Sequence, residues 1–271
     1  MNWWEGILLG LIQGLTEFLP VSSSGHLVIG EELLGIENEY GGTTFEVFVH
    51  FGTVLSITVI FFSYLRKMLI EGIASIAKPK SWRENYEAKE GFRMSVHIAL
   101  TMIPTGIIYI LFKDVIEEAF TSARFACGML LITGILLLFT MIRGNQSGRI
   151  TWWKSLAIGT AQSFAMMPGI SRSGSTIAMA LYLGTKREEA TRFSFLMSVP
   201  VIVAATALDL IDIIRGDEIM NWTPLLLGML TAFVSGILAI KTMMVIVQKE
   251  RLHWFAFYCL FVGIVGLIFL N

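Results

Sequence analysis

The chain has 271 residues, 55% hydrophobic and 15% charged, with a formal net charge of −1. A soluble globular protein carries nearer a quarter charged residues, and apolar runs of roughly 17 to 25 residues, the length that crosses a bilayer core, recur here. Composition therefore excludes a soluble enzyme, and no basic run resembles a nucleic-acid arm. Lipid tolerates only helices or closed barrels. The chain reads as an all-α polytopic membrane protein, a single integral membrane domain over residues 1–271.

In chain order, Trp3 and Trp4 are placed to anchor the first helix at the bilayer interface. No basic region precedes the apolar stretch and no small-residue cleavage site follows it, so no removable signal peptide is expected. The first helix covers 3–19, carries Glu5, Gln13 and Glu17, and stops at Pro20. Ser22 or Ser23 caps a second helix that ends near Leu34 and Gly35, too short to span at about 1.5 Å per residue. The two form a re-entrant pair that enters and leaves on one side, followed by a polar loop with Glu31, Glu32, Glu37 and Glu39. Residues 45–64 read as a span, 66–93 as a charged linker, 94–112 as a span that tolerates Pro104, and 125–142 as a third span before a turn at 144–148. A second short pair covers 152–167 and 171–184, broken at Pro168 and Gly169; spans at 193–210, 222–240 and 254–270 complete the chain. Cys127 and Cys259 lie in apolar runs without CxxC spacing and read as packing residues.

An offset of 149 residues superposes Gly10 on Gly159, Gln13 on Gln162, Ser22 on Ser171, Ser24 on Ser173 and Gly25 on Gly174. The identities fall at polar and glycine positions, so they mark copies rather than shared hydrophobicity. Repeat one covers about 1–143 and repeat two about 150–271, each a re-entrant helix–loop–helix plus three transmembrane helices. Three is odd, so the second copy enters from the opposite face. That is an inverted-topology repeat, an architecture that builds sites at mid-bilayer from broken helices. Of the 20 Lys and Arg residues, sixteen fall on one side, Lys113, Arg124 and Arg215 on the other, and Arg172 at a tip. The positive-inside rule puts the sixteen in the cytoplasm, with both termini and the 31–39 loop outside.

The chemistry gathers at the two breaks. Gln13 and Glu17, four apart, share a helix face. A carboxylate beside a carboxamide oxygen suits a hard divalent cation, Mg²⁺ or Ca²⁺, or orients a water; the bland alternative is a polar stripe that packs two helices. Ser22, Ser23 and Ser24 cap the next helix or face the ligand. Ser23 with His26 permits a base-activated hydroxyl, or a histidine that attacks phosphorus itself. Around Pro168 to Thr176, Arg172 offers a planar fork for phosphate oxygens among Ser171, Ser173 and Thr176, at a helix start that aims N–H dipoles at an anion. Ionisable residues at membrane depth line functional cavities, so the two breaks are expected to meet in one site for a phosphate-bearing anion. His50, His97 and His253 read as interfacial or packing residues, and Glu46 and Asp209 as candidates for supporting contacts.

Gln13-x-x-x-Glu17, the run PVSSSGH ending at His26, and Pro168-Gly-x-Ser-Arg-Ser-x-x-Thr176 together resemble the undecaprenyl-diphosphatase family, the bacitracin-resistance proteins, over nearly the whole chain. The resemblance implies a plasma-membrane phosphatase that converts undecaprenyl diphosphate to the monophosphate, recycling the lipid carrier of cell-wall synthesis. It implies that Glu17, Ser23, His26 and Arg172 carry the site, with Gln13, Ser22, Ser171, Ser173 and Thr176 in support, and that the site opens toward the outer leaflet. Many members have Glu where Gln13 stands; Gln cannot act as a base, so that task passes to Glu17 or His26. Ser23 activated by His26 is the favoured nucleophile, with His26 itself or a water as alternatives. A polyprenyl-phosphate flippase or secondary transporter using the same anion site is the competing expectation, because inverted repeats recur in transporters.

Overall fold

Helix ends fall where the sequence supplies a cap or a breaker. In the computed structural model, which describes residues 1–36, 43–142, 146–215 and 221–270 (the side chains of Thr43 and 208–215 excepted), α1 (Trp3–Phe18) opens on a capping box. The Asn2 N–H donates to Glu5 Oε2 at 2.6 Å. α1 closes at Leu19, whose ψ of 146° is the extended conformation favoured before a proline. α2 (Ser23–Leu34) is capped by Ser22, whose Oγ accepts the Gly25 N–H at 3.3 Å, and is ended by Gly35 in the left-handed region. α3 (Thr43–Ile60) bends by 85° into α4 (Phe62–Ile76); α5 (Trp82–Ala88), α6 (Glu90–Ala119) and α7 (Ala123–Phe139) follow. α8 (Trp152–Phe164) leads to α9 (Arg172–Tyr182), where Ser171 Oγ accepts the Gly174 N–H at 3.0 Å, the same cap as in α2. α10 (Arg187–Arg215), α11 (Trp222–Gln248) and α12 (Trp254–Phe269) complete the chain. Glu37, Glu39 and the side chains of Asp209 and Arg215 lie outside the described residues.

The expected spans need correction in extent. The segment read as a charged linker is largely helical: α4 keeps a helical period through Arg66, Lys67 and Glu71 and turns Leu69, Ile70, Ile73 and Ile76 outward. α10 and α11 run beyond their expected ends, whereas α6 starts before its expected span and breaks at Phe112 (φ −125°, ψ 19°), the expected end, before continuing to Ala119. By length and hydropathy, three helices are fit to cross a bilayer among the described residues: α6, α10 over Arg187–Ala207, and α11. The bent pair α3 and α4 makes a fourth if it counts as one span, while α7 and α12 are shorter apolar helices. The chain is a multi-pass helical membrane protein.

Packing follows small residues. α1 lies along α11 and α8 along α6, while α3 faces α10 and α7 faces α12. At Gly10 an added Cβ would stand 2.3 Å from the Gly228 carbonyl oxygen, and at Gly159 it would stand 2.6 Å from that of Thr101. Backbones this close depend on glycine, the usual device for helix pairs in lipid. Phe18, Leu130, Ile158, Ile177, Phe193 and Phe195 share the buried core around the two helix breaks.

Candidate functional site

The two breaks meet, and their contacts are reciprocal. Ser22 Oγ, on the first tip, accepts the Gly169 N–H of the second at 3.1 Å. Ser173 Oγ, on the second, donates to the Leu19 carbonyl of the first at 3.1 Å. A Cβ at Gly25 would stand 2.8 Å from Gly169 Cα, and one at Gly174 would stand 3.2 Å from Pro20 Cβ. From α7, Thr133 Oγ1 donates to the Gly169 carbonyl at 2.8 Å and accepts the Ser171 N–H at 3.0 Å. Nothing in the sequence marked Thr133, because a hydroxyl inside an apolar helix gives no local sign of a distant partner.

Glu17 is the centre of the site, on the last turn of α1 and buried. Its Oε1 takes the guanidinium of Arg172 in an ion pair. Its Oε2 accepts the Ser23 hydroxyl at 2.5 Å and the Gln13 amide Nε2 at 3.0 Å. His50 Nε2 stands 4.0 Å from the same oxygen, while its Nδ1 donates to the Glu46 carbonyl at 2.8 Å. His50 is thus part of the site, against the expectation of an interfacial or packing residue. The i to i+4 turn of α3 aims it inward, and hydropathy alone did not. Arg172 is the first residue of α9, so the positive end of that helix dipole adds to its charge.

The expected pairing of Ser23 with His26 does not form. His26 Nδ1 lies 2.7 Å from the Ser22 carbonyl, which can only accept, so this nitrogen carries the proton. Its Nε2 then accepts from the Tyr258 hydroxyl at 2.8 Å, and the two rings stack at 5.6 Å. The tight turn at Ser22, with φ of 68°, claims the imidazole before it can reach Ser23. His97, by contrast, is buried packing, between the Tyr86 hydroxyl at 3.0 Å and Ser155 Oγ at 2.9 Å.

A cavity of about 490 Å³ opens beside these groups. Glu17, Ser22, Ser23, Ser24, Ser171 and Arg172 form its polar end, and α6 and α10 give it apolar walls that include Met102, Ile116, Phe120, Val201 and Ile202. Gln13, His26, Ser173 and Thr176 are not on its wall. Gln13 braces Glu17 from behind, and Thr176 Oγ1 is held by the Arg172 carbonyl at 2.8 Å and Ser194 Oγ at 2.6 Å. Gln162, which the 149-residue offset aligns with Gln13, does line the cavity and donates to Thr105 Oγ1 at 3.1 Å. The Oε1 atoms of Gln13 and Gln162 are both buried without a partner. Among the described residues no three of His, Cys, Asp and Glu cluster as a metal cage. The arrangement offers a cation for a phosphate and a hydroxyl held on a carboxylate, at the head of an apolar slot.

A protein-family model described as the bacitracin resistance protein BacA matches residues 6–265. The undecaprenyl-diphosphatase of Salinibacter ruber is 45% identical over 267 residues, covering 98% of this chain and 99% of its own. Those of Bacteroides fragilis and Halothermothrix orenii are 42% and 41% identical, each covering 99% of this chain and 98% of its own.

Proposed function

The chain belongs to the bacitracin resistance protein BacA family and is an undecaprenyl-diphosphatase of the membrane; we propose that its reaction runs on the Ser23, Glu17, Arg172 contact between the two tips. One observation carries this reading. Ser23 and Arg172 occupy equivalent positions under the 149-residue offset, and both reach the same carboxylate in the wall of one cavity. The transporter alternative is not favoured, because the relatives named above carry the name of an enzyme.

In the resting site Arg172 is paired with Glu17. An arriving diphosphate exchanges places with that carboxylate, and the guanidinium fork takes phosphate oxygens instead. A carboxylate freed from its guanidinium is a stronger proton acceptor. Ser23 Oγ then attacks the terminal phosphorus and its proton passes to Glu17 Oε2. The bond from that phosphorus to the bridging oxygen breaks, and undecaprenyl phosphate leaves. Glu17 gives that proton up with the departing undecaprenyl phosphate. Water then attacks the phosphoserine and gives its proton to the freed carboxylate. As the bond from phosphorus to Ser23 Oγ breaks, Oγ takes the proton back and inorganic phosphate leaves. Catalysis is mostly positioning and charge stabilisation, as in phosphoryl transfer generally. His26, locked between Ser22 and Tyr258, positions the tip that carries Ser23.

Of the hard-oxygen donors expected for Mg²⁺ or Ca²⁺, Glu17 lies on the cavity wall and would hold the ion, while the unpartnered Gln13 Oε1 lies behind it, off the wall, and would support it. Such an ion would supply charge neutralisation for a phosphoryl group. The reciprocal tip contacts and the matched pairs α1 with α11 and α8 with α6 support the inverted repeat. With the basic segments inside, both termini and the cavity mouth face outward, and the polyprenyl tail lies along the apolar walls of α6 and α10. The monophosphate returns to cell-wall synthesis, and removal of the diphosphate gives bacitracin resistance.

The test is phosphate release from a polyprenyl diphosphate by detergent-purified protein, with and without chelator. Ser23→Ala and Arg172→Ala are expected to lose about 10² to 10³ in kcat, and chelator to slow the wild type. Full turnover in Arg172→Ala would overturn this account of phosphate binding. Full turnover in Ser23→Ala would assign the attack to water.

A further inference from the structure

α6 and α10 line a second cavity, of about 430 Å³, at their other ends. Along α6, Arg93 in this second cavity and Thr105 in the first are twelve residues apart, about 18 Å of helix. Two backbone hydrogen bonds build its rim: the Gly148 N–H to the Gly184 carbonyl, and the Lys186 N–H to the Gly148 carbonyl, both at 2.9 Å. They set Arg149 and Lys186 side by side.

Four cations line this cavity, Arg93, Arg149, Lys186 and Arg192, against three carboxylates, Glu90, Glu188 and Glu189. Glu189 Oε1 accepts the Ile150 N–H at 3.2 Å, and Glu90 is held by Lys67 at 3.2 Å and Arg192 at 3.5 Å. Among the described residues, Arg93 donates to the Glu87 carbonyl at 3.5 Å, while Arg149 and Lys186 are exposed and form no ion pair or side-chain hydrogen bond. Arg192, stacked on the Tyr64 ring at 4.3 Å, keeps a buried Nε with no partner. Below the rim, Lys154 is 8% exposed and has no ion pair among the described residues, and its Nζ lies 3.1 Å from where a Cβ on Gly148 would stand. Arg93, half-buried, and the exposed Arg149 and Lys186 face Glu188 and Glu189, so cations outnumber carboxylates there by one before the buried Lys154 is added.

We propose that this cavity is a second anion site, for a phosphate monoester dianion, distinct from the Glu17 and Arg172 site. Three cations converging from α6, the 149 loop and the start of α10 suit a compact doubly charged anion, and guanidinium is the group that grips phosphate oxygens. The chemistry fits the head group of a phosphorylated lipid or free phosphate alike.

The experiment uses the full chain in detergent with Arg172→Ala as background, so that loss of the tip site is built in. Inorganic phosphate and geranyl phosphate are titrated against the melting temperature, with chloride at matched ionic strength as control. Both phosphates should raise the melting temperature of the background protein. Adding Arg149→Ala with Lys186→Ala should weaken the apparent affinity at least tenfold and leave the unliganded melting temperature unchanged. Arg149→Lys with Lys186→Arg should restore it. A larger effect of geranyl phosphate assigns a lipid head group, and an equal one assigns free phosphate. A chloride response equal to that of phosphate, or an affinity unmoved by the double substitution, would overturn the proposal.

Discussion

Glu17 and Arg172 pair with each other, and their side chains are 5% and 15% exposed. Breaking such a pair from one side leaves a buried charge, which costs about 3–5 kcal/mol, whereas replacing both partners is often neutral. Arg172→Ala should therefore melt well below wild type, while Glu17→Gln with Arg172→Met should recover most of the loss and remain inactive. A wild-type melting temperature for Arg172→Ala would show that the pair is not a structural contact. His26 makes a different expectation. Its Nε2 is occupied by Tyr258, so Tyr258→Phe should lower kcat less than tenfold with KM unchanged, against the far larger loss in Ser23→Ala. A Tyr258→Phe loss as deep as that of Ser23→Ala would return His26 to the reacting atoms. The sequence pointed to Glu17 and Arg172 because ionisable residues are rare in apolar runs. It could not reveal His50 or Tyr258, whose partners in the site are far away in the chain: Tyr258 lies 232 residues from His26.

At the scale of the element, breaks were legible and lengths were not. Pro20, Pro168, Gly35 and the Ser22 and Ser171 caps act within one turn, so sequence alone locates them. α6 breaks helical geometry at Phe112, the end of its apolar run, and the mostly exposed turns beyond carry local pairs such as Lys113 Nζ to Glu117 Oε1 at 3.5 Å. The bend at Phe61 has no proline and no glycine to announce it. The seam between α1 and α11 tests whether small residues set the close approach. A Cβ at Gly10 would meet Gly228 and Thr231 within 2.3 Å, whereas one at Gly128 meets nothing within 4 Å. Overpacking costs about 1–3 kcal/mol, so Gly10→Ala should lower the melting temperature and the folded yield. Gly128→Ala should match or exceed wild type. Equal melting of the two variants would mean that the seam is looser than its distances.

For the whole molecule, the two tips that meet at the site carry different chemistry. The offset that equates Ser22 with Ser171 also equates Glu17 with Met166 and Ser23 with Arg172, so one tip brings an acid and a hydroxyl and the other a cation. If the copies are inverted, the two tips approach from opposite faces and meet between them, and the sidedness of the chain decides which leaflet the cavity serves. That can be measured with single cysteines, because Cys127 and Cys259 are buried and give little background to a membrane-impermeant thiol reagent. Asn2 and Lys80 are both exposed. In intact cells Asn2→Cys is expected to react and Lys80→Cys to react only after permeabilisation, which places the termini and the Glu17 cavity mouth outside and the Arg149 and Lys186 cavity inside. The reverse pattern would turn the enzyme over. The diphosphate would then be met from the cytoplasm, and the charge asymmetry of the loops would have failed as a guide to orientation.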